Sequence, residues 1–131
     1  MRQRVTEARV ARLGTVDAGG RPHLVPCCFA LDGDELYSPI DDVKPKSTRR
    51  LRRLDNIRAH PEVSILVDHY EEDWSVLWWI RLDGVAEILD RGAARHDTGT
   101  RLLGAKYAQY RPGSLDGPLI AMRIERWRAW P

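Results

Sequence analysis

The sequence predicts a mainly β fold: a small antiparallel barrel of six strands accompanied by few helices. Three observations carry that prediction. Apolar segments of strand length recur along the chain, separated by short connections built on Gly, Asp or Pro. Strands joined by such hairpins lie antiparallel. Six of them, with few helices to cover them, bury their apolar faces by curling on themselves. The 131 residues, 43% hydrophobic, suit a single domain over 1–131 with its own core.

The elements follow in order. Residues 2–9 form a short helix. Residues 10–16 read as the first strand, closed by the hairpin turn Asp17-Ala18-Gly19-Gly20. The second strand covers 23–31 and is rich in Val, Phe and Cys. Asp32-Gly33-Asp34 turns it into a third strand at 35–40, which completes a meander. Ser47 or Thr48 caps a helix that runs to residue 59 and is stopped by Pro61. Leu51, Leu54 and Ile57 share its apolar stripe, Arg49, Arg52 and Arg53 lie opposite, and Arg50 falls on the stripe. The fourth strand spans 62–70, with Val63, Ile65 and Val67 alternating against Ser64, Leu66 and Asp68. Glu71-Glu72-Asp73 leads into a long fifth strand at 74–89, where Gly84 marks a bulge or bend. Residues 91–110 are helical, with Leu103, Tyr107 and Tyr110 on one face and a middle weakened by Thr98, Gly99 and Thr100. Pro112 and Gly113 end that helix, and residues 119–130 form the last strand.

Charge narrows the function classes. Lys and Arg total 21 against 19 Asp and Glu, a net +2. Six of those bases sit in residues 44–53, KPKSTRRLRR, which contain no acid. The remaining 15 bases face 19 acids, so the rest of the chain is mildly acidic, at −4. One basic helix in an acidic surround is a poor footprint for a nucleic acid. No apolar run is long enough to span a bilayer, and the start lacks the apolar stretch of a signal peptide. Cys27 and Cys28 are adjacent, unsuited to a loop-closing disulfide, and read as buried and inert. These features imply a cytoplasmic protein. The four histidines lack metal-ligand spacing.

The strongest chemical feature is Lys44-Pro45-Lys46-Ser47 entering a helix. Free backbone N–H groups and the helix dipole there, joined by two ammonium groups and a hydroxyl, suit a phosphate. Arg50 can reach over the same end. A solvated basic face that binds nothing in particular fits the composition equally well. Trp78 and Trp79 are strand neighbours and point to opposite faces, so one of them faces away from the barrel core. Trp127 and Trp130 are expected to dock the chain end. No acid–base pair stands out, which is compatible with chemistry carried by a cofactor.

The segments VARLGTVDAGGRPHLVPCCFALDGDELYSPI, NIRAHPEVSILVD and WWIRLDGVAEIL, in this order and spacing, resemble the pyridoxamine-phosphate-oxidase-like, split-barrel flavin and deazaflavin proteins. The chain is most similar to their actinobacterial branch of coenzyme F420-dependent enzymes. The resemblance implies a six-stranded split barrel, FMN-binding-like, that forms a homodimer with cofactor sites between the subunits. It places the cofactor phosphate on Lys44, Lys46 and Ser47, with Arg50 and Asn56 as additions. It places the ring along Val25, Pro26 and Cys27 and along Ser38 and Ile40, covered by Trp78 or Trp79 of the partner subunit. The implied activity is hydride transfer between coenzyme F420 and a small organic substrate. FMN is the alternative cofactor, and a binding protein without turnover the alternative function. The acidic tail of coenzyme F420 gives the arginines of 49–53 a role that FMN does not.

Overall fold

The computed structural model of the protein describes residues 1–40, 48–111 and 113–131, and for 48–51 the backbone alone. Its elements are α1 (Arg2–Glu7), β1 (Ala11–Val16), β2 (Pro22–Cys27), β3 (Ala30–Asp32) and β4 (Glu35–Pro39), followed by α2 (Thr48–Ala59), β5 (Glu62–His69), β6 (Trp78–Leu89), α3 (Ala94–Lys106) and β7 (Leu119–Trp130). All strand pairs with an established register are antiparallel, and the seven strands form one sheet in the order β2-β1-β5-β6-β7-β4-β3.

That order determines the shape. β2 and β3 stand at opposite edges of the sheet, yet only Cys28 and Phe29 separate them in the chain. The edges must therefore meet, and the sheet curls into a barrel with a seam at these two residues. The long second strand expected over 23–31 is thus two strands, and the sheet has seven strands rather than six. The physical reason is local. The Tyr107 hydroxyl accepts the Phe29 N–H at 3.1 Å and faces the carbonyls of Phe29 and Arg9, each at 3.1 Å, with one proton to donate. Ser38 Oγ donates to the Cys28 carbonyl at 2.8 Å. Side chains thus satisfy backbone groups that a ladder would otherwise take, and the chain can leave β1 and join β4.

The barrel interior holds Leu13, Phe29, Leu36, Ile65, Leu82 and Met122, all essentially inaccessible to solvent. On β5, Val63, Ile65 and Val67 are buried, as the alternation predicts. A smaller cluster of Tyr37, Leu103, Tyr107 and Leu119 lies under α3. Gly99, which weakens the helix by propensity, is what lets α3 sit so close: a Cβ there would come within 2.7 Å of Leu119 and 2.8 Å of Tyr37. Gly84 marks the bulge that the sequence predicts, because β6 and β7 shift register between Asp83 and Gly84. A Cβ at Gly84 would stand 2.1 Å from the Arg123 carbonyl oxygen.

Two further boundaries differ from expectation. Residues 74–76 form a 3₁₀ turn instead of the start of β6, because the Asp73 carboxylate accepts from the Ser75 N–H and hydroxyl and holds the turn. Helix α3 is shorter than 91–110, since Tyr107 is extended and turned into the seam. The helix expected from Ser47 or Thr48 to residue 59 is α2, and its entry at 44–47 lies outside the described residues.

At one end of the barrel, α1 buries Val5 completely. Arg2 donates to the Gly33 carbonyl at 2.7 Å and pairs with Asp34 at 2.6 Å. Its guanidinium also lies 4.6 Å from the centroid of Trp127, and that of Arg4 lies 5.0 Å from Trp78. Trp127 therefore docks as expected, whereas Trp130 is half exposed.

Replacing Tyr107 by Phe keeps the ring and removes the hydroxyl, leaving buried backbone groups unpaired. We expect a loss of about 1–3 kcal/mol in urea unfolding with an unchanged slope; a loss within error would show that the hydroxyl does not hold the seam. Gly84→Ala should cost at least as much, since the obstructing atom is backbone and cannot move aside.

Candidate functional site

The end of β2, the seam and the end of β4 form one contiguous edge. Val25 and Cys27 lie on β2, and Ser38 on β4, with Ile40 one residue beyond its end. Ser38 reaches across to the Cys28 carbonyl, which joins the two halves of the edge. The five residues expected to flank a ring are thus brought together, but with different exposures. Pro26 is open, Val25 is half-buried against the core, and Cys27, Ser38 and Ile40 point inward. Burial pushes the Cys27 thiol up from its ordinary value, while Ser38 and the positive charges of Arg53 and Arg12 act against that shift.

The residues expected to hold a phosphate divide in the same way. Lys44, Lys46 and Ser47 lie outside the described residues, and Arg50 is placed on the first turn of α2 by its backbone alone. Asn56 is buried and donates to Thr15 Oγ1 at 3.1 Å, so its amide already ties α2 to β1. Arg53 was expected opposite the apolar stripe. It is half-buried, and its charge reaches Cys27 at the β2 edge. The sequence pattern could not show this, because a helix face becomes inward or outward only once the neighbouring strand is placed.

The two adjacent tryptophans are resolved by the β6 register. Trp78 shares the side of Ile80 and Leu82, packs against the core and stacks on His69 with centroids 6.1 Å apart. Trp79 points outward and lies cross-strand from Trp130 and Asp68. On that outer face an open cavity of about 510 Å³ is lined by Leu24, Leu66, Trp79 and Trp130, with Arg12 and Arg81 beside them. Arg12 pairs with Asp68 across β1 and β5 at 3.3 Å, and Arg81 pairs with Asp83 along β6 at 3.0 Å.

One residue of the edge has no signal in the sequence. Lys106, the last residue of α3, carries its ammonium 3.8 Å from the Phe29 ring centroid and 5.3 Å from that of Tyr107. Its Nζ is buried and has no hydrogen-bond partner. Burial, aided by the charge of Arg9, lowers its pKa from 10.5 to about 8, while Cys28 and Cys27 act in the opposite direction.

The sign of the resulting pH dependence is fixed. Below about pH 8 both folded and unfolded chains are protonated at Lys106, and the burial penalty is fully present. Between about 8 and 10.5 the unfolded chain binds more protons, so this residue's contribution raises stability as pH rises. Lys106→Met should therefore stabilise the protein at pH 7, by on the order of 1 kcal/mol after allowance for solvent screening of a half-buried chain. The difference between variant and wild type should shrink as pH rises from 8 to 10.5. Taking that difference removes the opposing contributions of Cys27, Tyr37 and Tyr107. A difference independent of pH would show that Nζ is not buried in solution.

Comparison with known proteins identifies the architecture. The profile of the pyridoxamine 5'-phosphate oxidase family matches residues 1–131. Similar solved structures include HutZ, the heme storage protein of Vibrio cholerae, at 20% identity and a TM-score of 0.72, covering 98% of this chain and 89% of that one. A conserved hypothetical protein of Mycobacterium tuberculosis, Rv2991, has 23% identity and a TM-score of 0.76, with 98% and 80% covered. An FAD-binding protein of Mesorhizobium loti has 23% identity and a TM-score of 0.70, with 98% and 89% covered. No curated protein sequence matches the chain. The structural neighbours share the fold, and the family match covers the whole chain: the protein belongs to the pyridoxamine 5'-phosphate oxidase family of split-barrel proteins.

Proposed function

We propose that the protein is a coenzyme F420-dependent oxidoreductase that works as a homodimer in the cytoplasm. The observation that carries this reading is the position of the single basic block. In sequence, residues 44–53 follow β4 and run into the first half of α2, so the six bases gather at the start of that helix. A flavin-type cofactor accords with the family and with the FAD-binding neighbour. The four arginines of 49–53 favour the deazaflavin, whose acidic tail they can hold, over FMN.

Each residue then has a task. Lys44, Lys46 and Ser47 bind the phosphate, and Arg50 closes over it. Val25 and Pro26 offer an apolar edge to the ring, while Cys27, Ser38 and Ile40 keep that edge rigid from inside. Asn56 holds α2 against β1 through Thr15. The bound cofactor supplies the hydride for a small organic acceptor. The protein orients the ring and excludes water from it.

The outer face supports the dimer. Leu24 is 76% exposed and Trp130 49%, which is unusual for a clustered apolar surface beside a sheet. The same face carries arginines and aspartates in alternation, so two copies can pair it with itself. In that arrangement Trp79 of the partner subunit covers the ring. A binding protein without turnover remains the second reading, favoured by the lack of an identifiable acid–base pair. The heme storage protein among the neighbours shows that this fold is also used for storage.

Titration of the purified protein with coenzyme F420 and with FMN tests the cofactor. Tighter FMN binding, with no change in deazaflavin fluorescence, would sink the F420 assignment. Lys46→Ala with Ser47→Ala should weaken binding of either cofactor at least tenfold; unchanged affinity would show that the phosphate binds elsewhere. Tight binding without oxidation of the reduced cofactor by enone, nitro or quinone acceptors would favour the non-catalytic reading. For the dimer, sedimentation should give twice the chain mass, and Trp79→Glu with Trp130→Glu should return the monomer.

A further inference from the structure

The outer face of α3 and the loop that follows it border an open cavity of about 490 Å³. Asp97, Thr100, Arg101 and Gly104 line it, at spacings of three and four that form one helical stripe. The inward stripe of the same helix carries His96, Gly99 and Leu103, all buried. His96 Nε2 donates to the Gly117 carbonyl at 2.8 Å, which holds the loop back against the helix. Ser114 closes a turn in that loop, donating its N–H at 3.0 Å and its hydroxyl at 2.7 Å to the Arg111 carbonyl.

Three arginines reach this cavity from three segments: Arg91 from the turn before α3, Arg101 from the helix and Arg111 from the loop. Two acids line it as well, and both have other tasks. Asp116 pairs with Arg91 at 3.5 Å, and Asp97 sits in the first turn of α3, where the helix dipole favours a carboxylate. Among the described residues neither Arg101 nor Arg111 has an ion-pair partner. Gly104 is a second, independent sign. Glycine inside a helix is less favourable than alanine. At Gly99 close packing explains it, but a Cβ at Gly104 would meet nothing within 4 Å. Packing thus gives no reason for that glycine, whereas an occupant resting against bare helix backbone does.

We propose that this cavity is an anion site that binds a diphosphate group, free or carried by a nucleoside. Planar arginine forks match phosphate oxygens two at a time, and three of them around one space present more donors than a single carboxylate can use. The volume lies within the range of small-molecule sites. Gly104 lets the anion approach the helix closely. Tyr110 and Leu115, packed on the smaller core cluster, offer a half-buried apolar wall beside the arginines. The cavity shares no residue with the cofactor site proposed above and stands or falls without it.

Calorimetric titration of the whole protein with pyrophosphate and with ADP tests the site. We expect saturable binding that weakens at least tenfold in Arg101→Ala with Arg111→Ala and survives in Lys46→Ala with Ser47→Ala. Tighter binding of ADP than of pyrophosphate would mark the nucleoside form as the ligand, and equal affinity the free diphosphate. Gly104→Leu should also weaken binding at least tenfold, by filling the cavity without changing its charge. Thermal stability of that variant should be equal or higher, because leucine is the better helix former and the added Cβ meets no protein atom. No saturable binding of either probe, or binding unchanged in the arginine and glycine variants, would overturn the site. Binding lost with Lys46 and Ser47 but kept without Arg101 and Arg111 would put the anion on the basic block and overturn it equally.

Discussion

The closure of the sheet depends on one hydroxyl group. Tyr107 Oη meets the N–H and carbonyl of Phe29 and the carbonyl of Arg9, three backbone groups that the ladder abandons where β2 gives way to β3. Without a partner at that point, the switch between edges would leave buried polar groups unpaired. With it, the strand order can return on itself and enclose Leu13, Leu36, Ile65, Leu82 and Met122. The position of α3, the smaller cluster beneath it and the placement of Lys106 all follow from turning Tyr107 inwards.

The same seam gathers groups from several elements. Its neighbours are Cys27, Cys28 and Ser38 from the sheet, and Arg9 and Lys106 from the flanking segments. Packing demands are met on one side by Phe29 and the core. On the other side are Arg9 and Lys106, whose side chains meet aromatic rings and a carbonyl among the described residues. At α1, Arg2 is paired with Asp34 and set over Trp127, and Val5 closes the core.

Several elements were legible from residue pattern alone. The alternation of Val63, Ile65 and Val67 gave β5 its face, Gly84 its bulge to β6, and Pro61 the end of α2. The gathering of six bases in ten residues at a helix start was likewise legible, because it needs no tertiary context to be noticed. What pattern could not supply were features made by partners distant in sequence. The break at Cys28–Phe29 depends on a tyrosine 78 residues away. The inward tilt of Arg53 depends on where β2 ends. Lys106 has no unusual sequence neighbours at all.

The sequence by itself determined the antiparallel, strand-rich class, the order of the elements and the concentration of positive charge before α2. These are local properties, set by periodicity, turn chemistry and composition over a few residues. Only the tertiary structure decided that the second strand splits, that Trp79 rather than Trp78 faces outwards, and that a lone lysine is buried beside the edge of the split. Those outcomes depend on register and on side chains meeting across the barrel, and a shift of one residue in pairing would have reversed the two tryptophans.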